Sequence, residues 1–334
     1  MMSELLTPAL NSSKVITRYQ HNPILAAKDI PYPAEMVFNA GVTKFNGKYI
    51  TIFRNDYNFV EGRLPDTNLG IAFSDDGLHW SVRETPFFTI DQLEQEEIIR
   101  IYDPRLTVIE GRCYICFAAD THHGLRGGIA VTDNFENFRI ISMSVPDNRN
   151  MVLFPEKING MYVRLERPFP VYSRGGVDRF DTWLSKSLDL IYWGESALVL
   201  AVEDVPFAND KIGPAAPPVK TEKGWLTTFH AVDIDPSRGK NGWEASWKKR
   251  YTAGIMLLDL NNPEKVIGIS KEPLIAPEVD YEIKDGFRNH VIFPGGMILE
   301  EDGEVKIYYG AADIVECLAT AHVDDLIRLC KPLN

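Results

Sequence analysis

The chain repeats one pattern five times: a hydrophobic strand, a tight turn with a single glycine, and a second strand rich in aromatic residues. The five copies lie at residues 41–54, 106–117, 153–164, 216–230 and 294–309. Their turn glycines are Gly47, Gly111, Gly160, Gly224 and Gly303. A hairpin of this size cannot bury its own apolar face, so the copies must stack on one another. The repeat therefore constrains the architecture of the whole chain.

Each copy is followed by a second hairpin, built on a short apolar strand and a turn that contains Asp or Asn. These turns lie at residues 74–80, 132–138, 187–193, 258–266 and 323–327. Two hairpins in succession make a four-stranded antiparallel sheet, and five such sheets arranged radially make a propeller. Two stacked β-sandwiches are the alternative, but they predict a break near the middle and no fivefold repetition of the turn. The sequence thus predicts an all-β fold, a five-bladed β-propeller, with helical spacing of apolar residues only at 90–101.

The composition is typical of one large domain of many short strands. The 334 residues include 24 Gly and 21 Pro, with no linker or break in composition. We expect a single catalytic propeller domain over residues 1–334, with residues 1–20 as an N-terminal extension.

A net charge of −12 argues against nucleic acid or an anionic membrane as a partner, although it permits a local basic pocket. The sequence has no stretch resembling a signal peptide or a membrane span, which predicts a cytoplasmic protein.

The cysteines do not form a metal-binding pattern. Cys113 and Cys116 have the spacing of a C-x-x-C motif, but they lie within a predicted strand, where positions three apart point to opposite faces. Cys317 and Cys330 do not complete a second pair of this spacing. We therefore expect buried thiols, no metal site and no cofactor.

Polar residues cluster near the ends of the predicted inner strands, which line the axis of a propeller. They are Asn39, Arg54, Asp103, Arg105, Arg149, Arg167, Lys211, His230 and Asp313. Buried charges are unfavourable by several kcal/mol unless they are paired or hold a ligand. The pattern therefore predicts a polar pocket on the axis.

Asp103, in the segment Tyr102-Asp-Pro-Arg105, has two interpretations. Asp before Pro commonly opens a turn, and Arg105 is then its salt-bridge partner. Alternatively, Asp103 is a general acid on a backbone restricted by proline, able to protonate a leaving group.

Four cationic or titratable residues, Arg149, Arg167, Lys211 and His230, fall on successive predicted blades. Each alone is explained as a surface or structural charge. Together they describe an anion cradle, because guanidinium groups match phosphate oxygens and Lys and His add charge and donors. The aromatic residues Tyr57, Phe59, Trp80, Trp183 and Trp225 are interpreted mainly as blade core, with sugar stacking as the alternative, foremost for Tyr57.

The chain resembles glycoside hydrolase family 130, the five-bladed β-mannoside phosphorylases and mannosidases, from residue 22 to about residue 327. The motifs that carry the resemblance are Phe38-Asn-Ala-Gly41, Tyr102-Asp-Pro-Arg105, Asn148-Arg-Asn150, Leu153-Phe-Pro155, Arg167-Pro168, Lys211-Ile-Gly213, Leu257-Leu-Asp259 and Tyr308-Tyr-Gly-Ala-Ala-Asp313.

The resemblance implies a role for each matching residue. It implies that Asp103 is the catalytic acid, acting through the 3-hydroxyl of the sugar. It implies phosphate binding by Arg149, Arg167, Lys211 and His230, with Tyr251 as an aromatic partner, and sugar contacts by Asn39, Arg54 and Asp313. The partners implied are a β-mannoside oligosaccharide and inorganic phosphate as co-substrate, with α-mannose 1-phosphate as product. Hydrolases of the family lack much of the basic set, so its presence here favours inverting phosphorolysis.

Other functions remain open from the sequence. One is a β-mannosidase of the same family, and another is a non-catalytic glycan-binding propeller. An arabinan- or fructan-cleaving propeller would need three acidic residues at blade starts, a trio that the sequence does not offer. Residues 233–249 resemble an insertion that bears on the acceptor side. The sequence is compatible with a homo-oligomer and does not choose among β-1,4, β-1,2 and β-1,3 linkages.

Overall fold

Five antiparallel sheets surround one axis in the computed structural model, which describes residues 10–93, 97–170, 180–234 and 249–333. The prediction of an all-β, five-bladed β-propeller is confirmed. The expected insertion at residues 233–249 lies mostly outside the described residues.

The first three blades each contain four consecutive strands, ordered from the axis outward. Blade 1 consists of β2 (Met36–Phe45), β3 (Lys48–Tyr57), β4 (Asp66–Ser74) and β5 (Ser81–Val82). Blade 2 consists of β6 (Ile98–Ile109), β7 (Arg112–Thr121), β8 (Gly124–Thr132) and β9 (Arg139–Met143). Blade 3 consists of β10 (Asn148–Leu153), β11 (Tyr162–Pro168), β12 (Thr182–Ser187) and β13 (Gly194–Leu200).

The last two blades depart slightly from this scheme. Blade 4 consists of β14 (Lys211–Pro214), β15 (Val219–Thr221), β16 (Gly224–Ile234), β17 (Lys249–Leu258) and β18 (Val266–Ile269), and β14 and β15 both pair with β16. Blade 5 consists of β19 (Ile292–Leu299), β20 (Glu304–Ala311), β21 (Val315–His322) and, as its outer strand, β1 (Thr17–Arg18). Part of the expected N-terminal extension therefore completes the last blade and closes the ring.

The repeated turns have a local physical basis. Each of the five turn glycines has a positive φ, a conformation that glycine adopts without steric strain. In the outer hairpins an Asp or Asn side chain accepts backbone N–H groups two and three residues ahead, as Asp76 does from Leu78 at 2.8 Å and His79 at 2.9 Å. Asp189 and Asp259 make the same pair of bonds.

The hydrophobic core lies between neighbouring blades rather than within them. Trp225 of blade 4 is fully buried and packs edge-on against Phe154 of blade 3, with ring centroids 5.3 Å apart. Cys113 contributes to the core between blades 1 and 2, whereas Cys116 contributes to the core between blades 2 and 3. This placement on opposite faces of β7 confirms the interpretation of both residues as buried strand thiols.

Two local predictions were wrong. The fifth outer turn, predicted at residues 323–327, is instead part of helix α2 (Val323–Leu329), where His322 accepts the Asp324 N–H as the N-terminal cap. In the segment 90–101, where helical spacing was expected, the described residues form a short 3₁₀ helix (Ile90–Gln92) and the start of β6 at Ile98, whose apolar residues pack between blades; residues 94–96 lie outside the described part. Helix α1 (Asp280–Ile283) and the 3₁₀ helices Ala27–Asp29 and Val202–Asp204 complete the described secondary structure.

Candidate active site

A cavity of about 470 Å³ opens where the inner strands converge. Eight of the nine site residues predicted from the sequence line it, and His230 does not: Asn39, Arg54, Asp103, Arg149, Arg167, Lys211, Tyr251 and Asp313. Further lining residues that the sequence did not point to include Arg100, Asn150, Lys249, Phe287 and Arg288, and Phe59, a lesser stacking candidate in the sequence, also lines the cavity.

Bulges in the inner strands present three of the lining residues. Asn39 on β2, Asp103 on β6 and Asn150 on β10 each lie where the pairing register shifts, and their φ angles are 51°, 52° and 57°. Asn and Asp tolerate this left-handed conformation better than other residues with a side chain. The backbone therefore gives a structural reason for these residue types, in addition to any chemical role.

Asp103 is half-buried and receives hydrogen bonds from one side of the cavity. Its Oδ1 accepts from Asn39 Nδ2 at 2.9 Å and lies 3.5 Å from Arg54 Nη1. Burial favours the neutral acid, but the charges of Arg54 and Arg105, the bond from Asn39 and the charge of Arg149 together lower the pKa of Asp103 below its ordinary value. Asp103 is therefore ionised near neutral pH in the free protein.

Arg54 is clamped by a second carboxylate. Its Nε donates to Asp56 Oδ1 at 2.9 Å and its Nη2 to Asp56 Oδ2 at 2.5 Å, and the Asp56 side chain is fully buried. The guanidinium lies over the rings of Phe38 and Tyr102, with its carbon 4.5 Å and 5.0 Å from their centroids. This bidentate pair holds Arg54 with one nitrogen directed at Asp103.

Arg105 does not act as the salt-bridge partner of Asp103 that one interpretation of the sequence required. Its guanidinium donates to the carbonyl oxygens of Ala215 at 2.6 Å and Pro104 at 2.7 Å, which ties blade 2 to blade 4. Among the described residues, the cation within ion-pair distance of Asp103 is Arg54. Arg105 affects Asp103 through its charge alone.

Asp313 lies in the β20–β21 turn and is also paired. Arg288 Nη1 donates to Asp313 Oδ2 at 3.0 Å. Burial raises the pKa of Asp313, the charges of Arg288 and Arg54 oppose this, and the charge of Asp103 adds to it. The two carboxyl groups of the cavity thus have pKa values displaced in opposite directions.

A buried glutamate lies behind Asn39. Glu316 Oε2 accepts the Ala40 N–H at 3.1 Å, and burial raises the pKa of Glu316 to about 8. Gly310, the cross-strand partner of Glu316, packs against Asn39, where a Cβ atom would come within 2.4 Å of Asn39 Oδ1. These contacts explain how the bulge in β2 keeps the Asn39 amide directed at Asp103. We call the set Asn39, Arg54, Asp56, Asp103, Arg288 and Asp313 the acid wall.

The opposite side of the cavity, which we call the cation wall, is formed by Arg149, Arg167, Lys211, Lys249 and Tyr251. Arg149 and Arg167 are paired across β10 and β11, whereas Lys211 begins β14 in the next blade. Lys211 Nζ lies 5.9 Å from the centroid of the Tyr251 ring. Neighbouring blades thus bring four cationic side chains to one surface.

His230 lies behind this wall instead of on it. Arg167 Nη1 is 2.8 Å from His230 Nε2, and because arginine only donates, Nε2 is the acceptor. Burial, followed by the charges of Arg167, Lys211, Arg149 and Arg105, holds the pKa of His230 well below its usual value. In the free protein His230 is therefore a neutral imidazole that orients Arg167, and its predicted role as a phosphate ligand stays a prediction.

The charges of the cation wall are poorly compensated. Burial and the charge of Arg149 lower the pKa of Arg167 to about 9. Burial and the charges of Arg167 and Lys249 lower the pKa of Lys211 to about 6, against the opposing effect of Asp210. Among the described residues, Asp210 is the carboxylate within ion-pair distance of this wall. Such an arrangement favours the binding of an anion.

Aromatic residues line the cavity, but Tyr57, which the sequence favoured for sugar stacking, is not among them. Phe59 and Phe287 line it and contact each other edge to face, with centroids 5.3 Å apart. Tyr57, Trp80, Trp183 and Trp225 are not among the lining residues. Tyr57 is the last residue of β3, and Phe59 follows it after Asn58, whose left-handed φ of 53° turns the chain at this point.

In the part of the chain that the structure describes, no group of three or more His, Cys, Asp or Glu residues is arranged to hold a metal ion. Within the same residues, no helix has the length and apolar character needed to cross a membrane.

Fold and cavity together define a five-bladed propeller whose axial pocket sets paired carboxylates opposite weakly compensated cations. The chain belongs to glycoside hydrolase family 130, because the family model described as beta-1,4-mannooligosaccharide phosphorylase matches residues 12–332. The resemblance indicated by the sequence motifs is thereby confirmed.

Curated relatives and a solved structure agree with this assignment. The chain is 32% identical to a beta-1,4-mannooligosaccharide phosphorylase of Ruminococcus albus, over 95% of this chain and 91% of that one. It is 28% identical to a beta-1,2-mannobiose phosphorylase of Listeria innocua, over 89% of this chain and 93% of that one. The structure of a Listeria innocua beta-1,2-mannobiose phosphorylase with beta-1,2-mannobiose superposes with a TM-score of 0.80 at 26% identity, covering 94% and 99% of the two chains.

Proposed function

We propose that this protein catalyses inverting phosphorolysis of β-linked mannosides, mannobiose or mannooligosaccharides, with inorganic phosphate as co-substrate. The observation that carries the proposal is the cation wall, where four cationic side chains have one carboxylate, Asp210, within ion-pair distance among the described residues. Hydrolysis requires a polarised water and does not require this excess of positive charge. A phosphate dianion would compensate it and accept hydrogen bonds from both guanidinium groups.

The proposed reaction balances without a further co-reactant. An oxygen of HPO₄²⁻ forms a bond to C1 of the mannosyl unit as the bond from C1 to the leaving oxygen breaks. The proton that phosphate loses is matched by the proton that the leaving oxygen gains. The products are α-mannose 1-phosphate and a shortened acceptor. Phosphate is already a nucleophile, so the reaction needs no general base, in contrast to the pair of carboxylates used by inverting hydrolases.

Asp103 is proposed to deliver the proton to the leaving oxygen by way of the sugar 3-hydroxyl. Its lowered pKa in the free protein is consistent with this role, because bound phosphate opposes the charge of Arg149 and places negative charge nearby. Both effects raise the pKa of Asp103 and so favour its protonated form when phosphate is bound. Asn39, Arg54 and Asp313 are proposed to contact the mannosyl unit beside Asp103.

The substrate class is supported by the relatives, which are named as phosphorylases of mannosides. They divide between β-1,2 and β-1,4 linkages at similar identity to this chain. We therefore propose one of these two linkages, to be assigned by experiment.

The test uses purified protein with β-1,4-mannobiose, β-1,2-mannobiose and their trisaccharides, each with and without inorganic phosphate. We expect mannose 1-phosphate on one linkage series and turnover only when phosphate is present. Equal release of free mannose with and without phosphate would contradict the proposal. Sugar binding without turnover under any condition would instead indicate a non-catalytic glycan-binding propeller.

Hydrolysis of the same bonds is the second candidate, and one observation favours it. Asp103 and Asp313 line one cavity and have pKa values displaced in opposite directions, as the acid and the base of a hydrolase do. Both carboxylates, however, are held by arginines of the acid wall, Asp313 by Arg288 and Asp103 by Arg54. The phosphate dependence of the experiment above separates the two reactions.

A further inference from the structure

Two ammonium groups at the cation wall share one carboxylate. Asp210 Oδ2 lies 3.2 Å from Lys249 Nζ and 3.7 Å from Lys211 Nζ. The Asp210 and Lys211 side chains are 14% and 11% exposed, and the Lys249 side chain is 29% exposed. Lys249 is therefore the outermost of the three and the first that an entering anion would meet.

The strand geometry explains why Lys249 faces the cavity. Lys249 and Tyr251 are two residues apart on β17, so their side chains leave the same face of the sheet. Tyr251 is opposite Val232 on β16, and Val232 is opposite Lys211 on β14. The two lysines thus approach each other from different strands of blade 4, with Asp210 at the start of β14 between them.

Among the described residues Asp210 is the carboxylate beside this wall, and it cannot balance every charge there. Burial lowers the pKa of Lys249, but the charges of Tyr251 and Asp210 more than offset it, whereas burial and the charges of Arg167 and Lys249 lower the pKa of Lys211 to about 6. Asp210 therefore balances Lys249, the nearer lysine, and leaves the charges of Arg149 and Arg167 and any proton on Lys211 uncompensated. A ligand with at least two negative charges does explain the arrangement, because it would compensate both lysines at once.

We propose that Lys249 is a further ligand of the anion bound at the cation wall, and that Asp210 is the positioning residue that spaces Lys249 and Lys211 around it. This inference rests on the proposed phosphorolysis and identifies the anion as inorganic phosphate or the phosphate group of the sugar phosphate product. Asp210 also raises the fraction of Lys211 that carries a proton, since its carboxylate opposes the burial and the neighbouring cations that lower the pKa of Lys211 to about 6.

The first test compares Lys249→Ala and Lys249→Arg with the wild-type protein. Loss of one charged hydrogen bond predicts a KM for phosphate raised about tenfold or more in Lys249→Ala, with kcat at saturating phosphate within about threefold. Lys249→Arg should recover most of the affinity because it keeps the charge. Lys48→Ala is the matched control, since Lys48 forms an exposed pair with Asp75 at 2.7 Å in the β2–β3 hairpin.

The second test is the pH dependence of Asp210→Asn. Without Asp210 the pKa of Lys211 falls below its wild-type value of about 6, so Lys211 loses its proton at a lower pH in the variant than in the wild type. We expect the ratio of mutant to wild-type KM for phosphate to rise from about pH 5 to about pH 7 and then to level off. Taking this ratio removes the titration of phosphate itself. Asp75→Asn is the control and should give a flat ratio.

These tests separate failure of the inference from failure of the proposed function. A KM for phosphate within twofold of wild type in Lys249→Ala would overturn the inference while phosphorolysis stands. A loss that Lys249→Arg does not recover would also overturn it, because packing rather than charge would be responsible. If the wild-type protein shows no phosphate-dependent turnover, calorimetric titration with inorganic phosphate still measures the contribution of Lys249: weaker binding by Lys249→Ala supports the site, and equal binding overturns it.

Discussion

The acid wall and the cation wall face each other across one cavity, but they balance charge in different ways. On the acid wall each cation has a carboxylate partner: Arg54 is bound by Asp56, and Arg288 is bound by Asp313. On the cation wall, among the described residues, Arg149 has no carboxylate within ion-pair distance, and two lysines depend on Asp210. The protein therefore completes one wall by itself and leaves the other to be completed by a ligand.

This difference separates residues that position from residues that bind. A buried charge with a partner contributes to the folded state, and removing either partner is unfavourable. A buried charge without a partner destabilises the folded protein, and binding of an anion removes this destabilisation. Substitutions on the acid wall should therefore affect stability or chemistry, whereas substitutions on the cation wall should affect phosphate affinity.

The largest expected effect is that of Asp103→Asn on the acid wall. Removal of a general acid should lower kcat about 10²- to 10⁴-fold. Asn tolerates the left-handed φ of 52° at this position, so circular dichroism should show an unchanged fold. Asp313→Asn is the matched comparison, with a smaller effect, mainly on the KM for the sugar. If Asp103→Asn keeps more than a tenth of wild-type kcat and Asp313→Asn does not, the acid is Asp313.

The next effect is on stability. Arg54→Met leaves the fully buried Asp56 carboxylate without its partner, which should reduce the free energy of unfolding by about 3–5 kcal/mol. Urea denaturation followed by fluorescence measures this change. The control is Arg112→Met, because Arg112 and Asp133 are 46% and 64% exposed and such pairs contribute about 0–1 kcal/mol. Equal losses in the free energy of unfolding of the two variants would show that Arg54 and Asp56 do not act as a buried ion pair.

Arg149→Met should show the opposite behaviour, and it is the direct contrast to Arg54→Met. Among the described residues, its buried Nε has no hydrogen-bond partner, so its removal should change stability in phosphate-free buffer by less than about 1 kcal/mol. The KM for phosphate should rise about 10- to 100-fold because a charged hydrogen-bond donor is lost. An unchanged KM for phosphate together with a large loss of stability would mean that Arg149 stabilises the fold, as Arg54 does, and does not bind phosphate.

The smallest effect is the stabilisation of the wild-type protein by phosphate. At a phosphate concentration about ten times the dissociation constant, binding adds about 1.4 kcal/mol, which should raise Tm by about 2 °C for a chain of this length. Thermal unfolding in phosphate and in chloride at equal ionic strength measures it. Arg149→Met should lose most of the shift. The same shift in chloride would show a general salt effect and remove the distinction between the walls.

Much of the candidate site was visible in the sequence, but its organisation was not. The positions of Asn39, Asp103 and Arg149 near the ends of inner strands followed from the repeat. Lys249 carried a usable signal that was missed, since it precedes Tyr251 by two residues in a strand. Arg288 had no such signal, because its contact with Asp313 depends on a loop that precedes β19 and folds back toward the axis.

By itself the sequence determined the five repeats, the glycine turns and the left-handed positions occupied by Asn and Asp. These features depend on backbone preferences within a few residues, which the chain expresses wherever it folds. Only the tertiary structure decided that Arg54 is paired and Arg149 is not, that His230 supports Arg167 from behind, and that Lys249 shares Asp210 with Lys211. Charge pairing depends on distances of a few ångströms between side chains from different strands and blades, and packing of all five blades around the axis sets those distances.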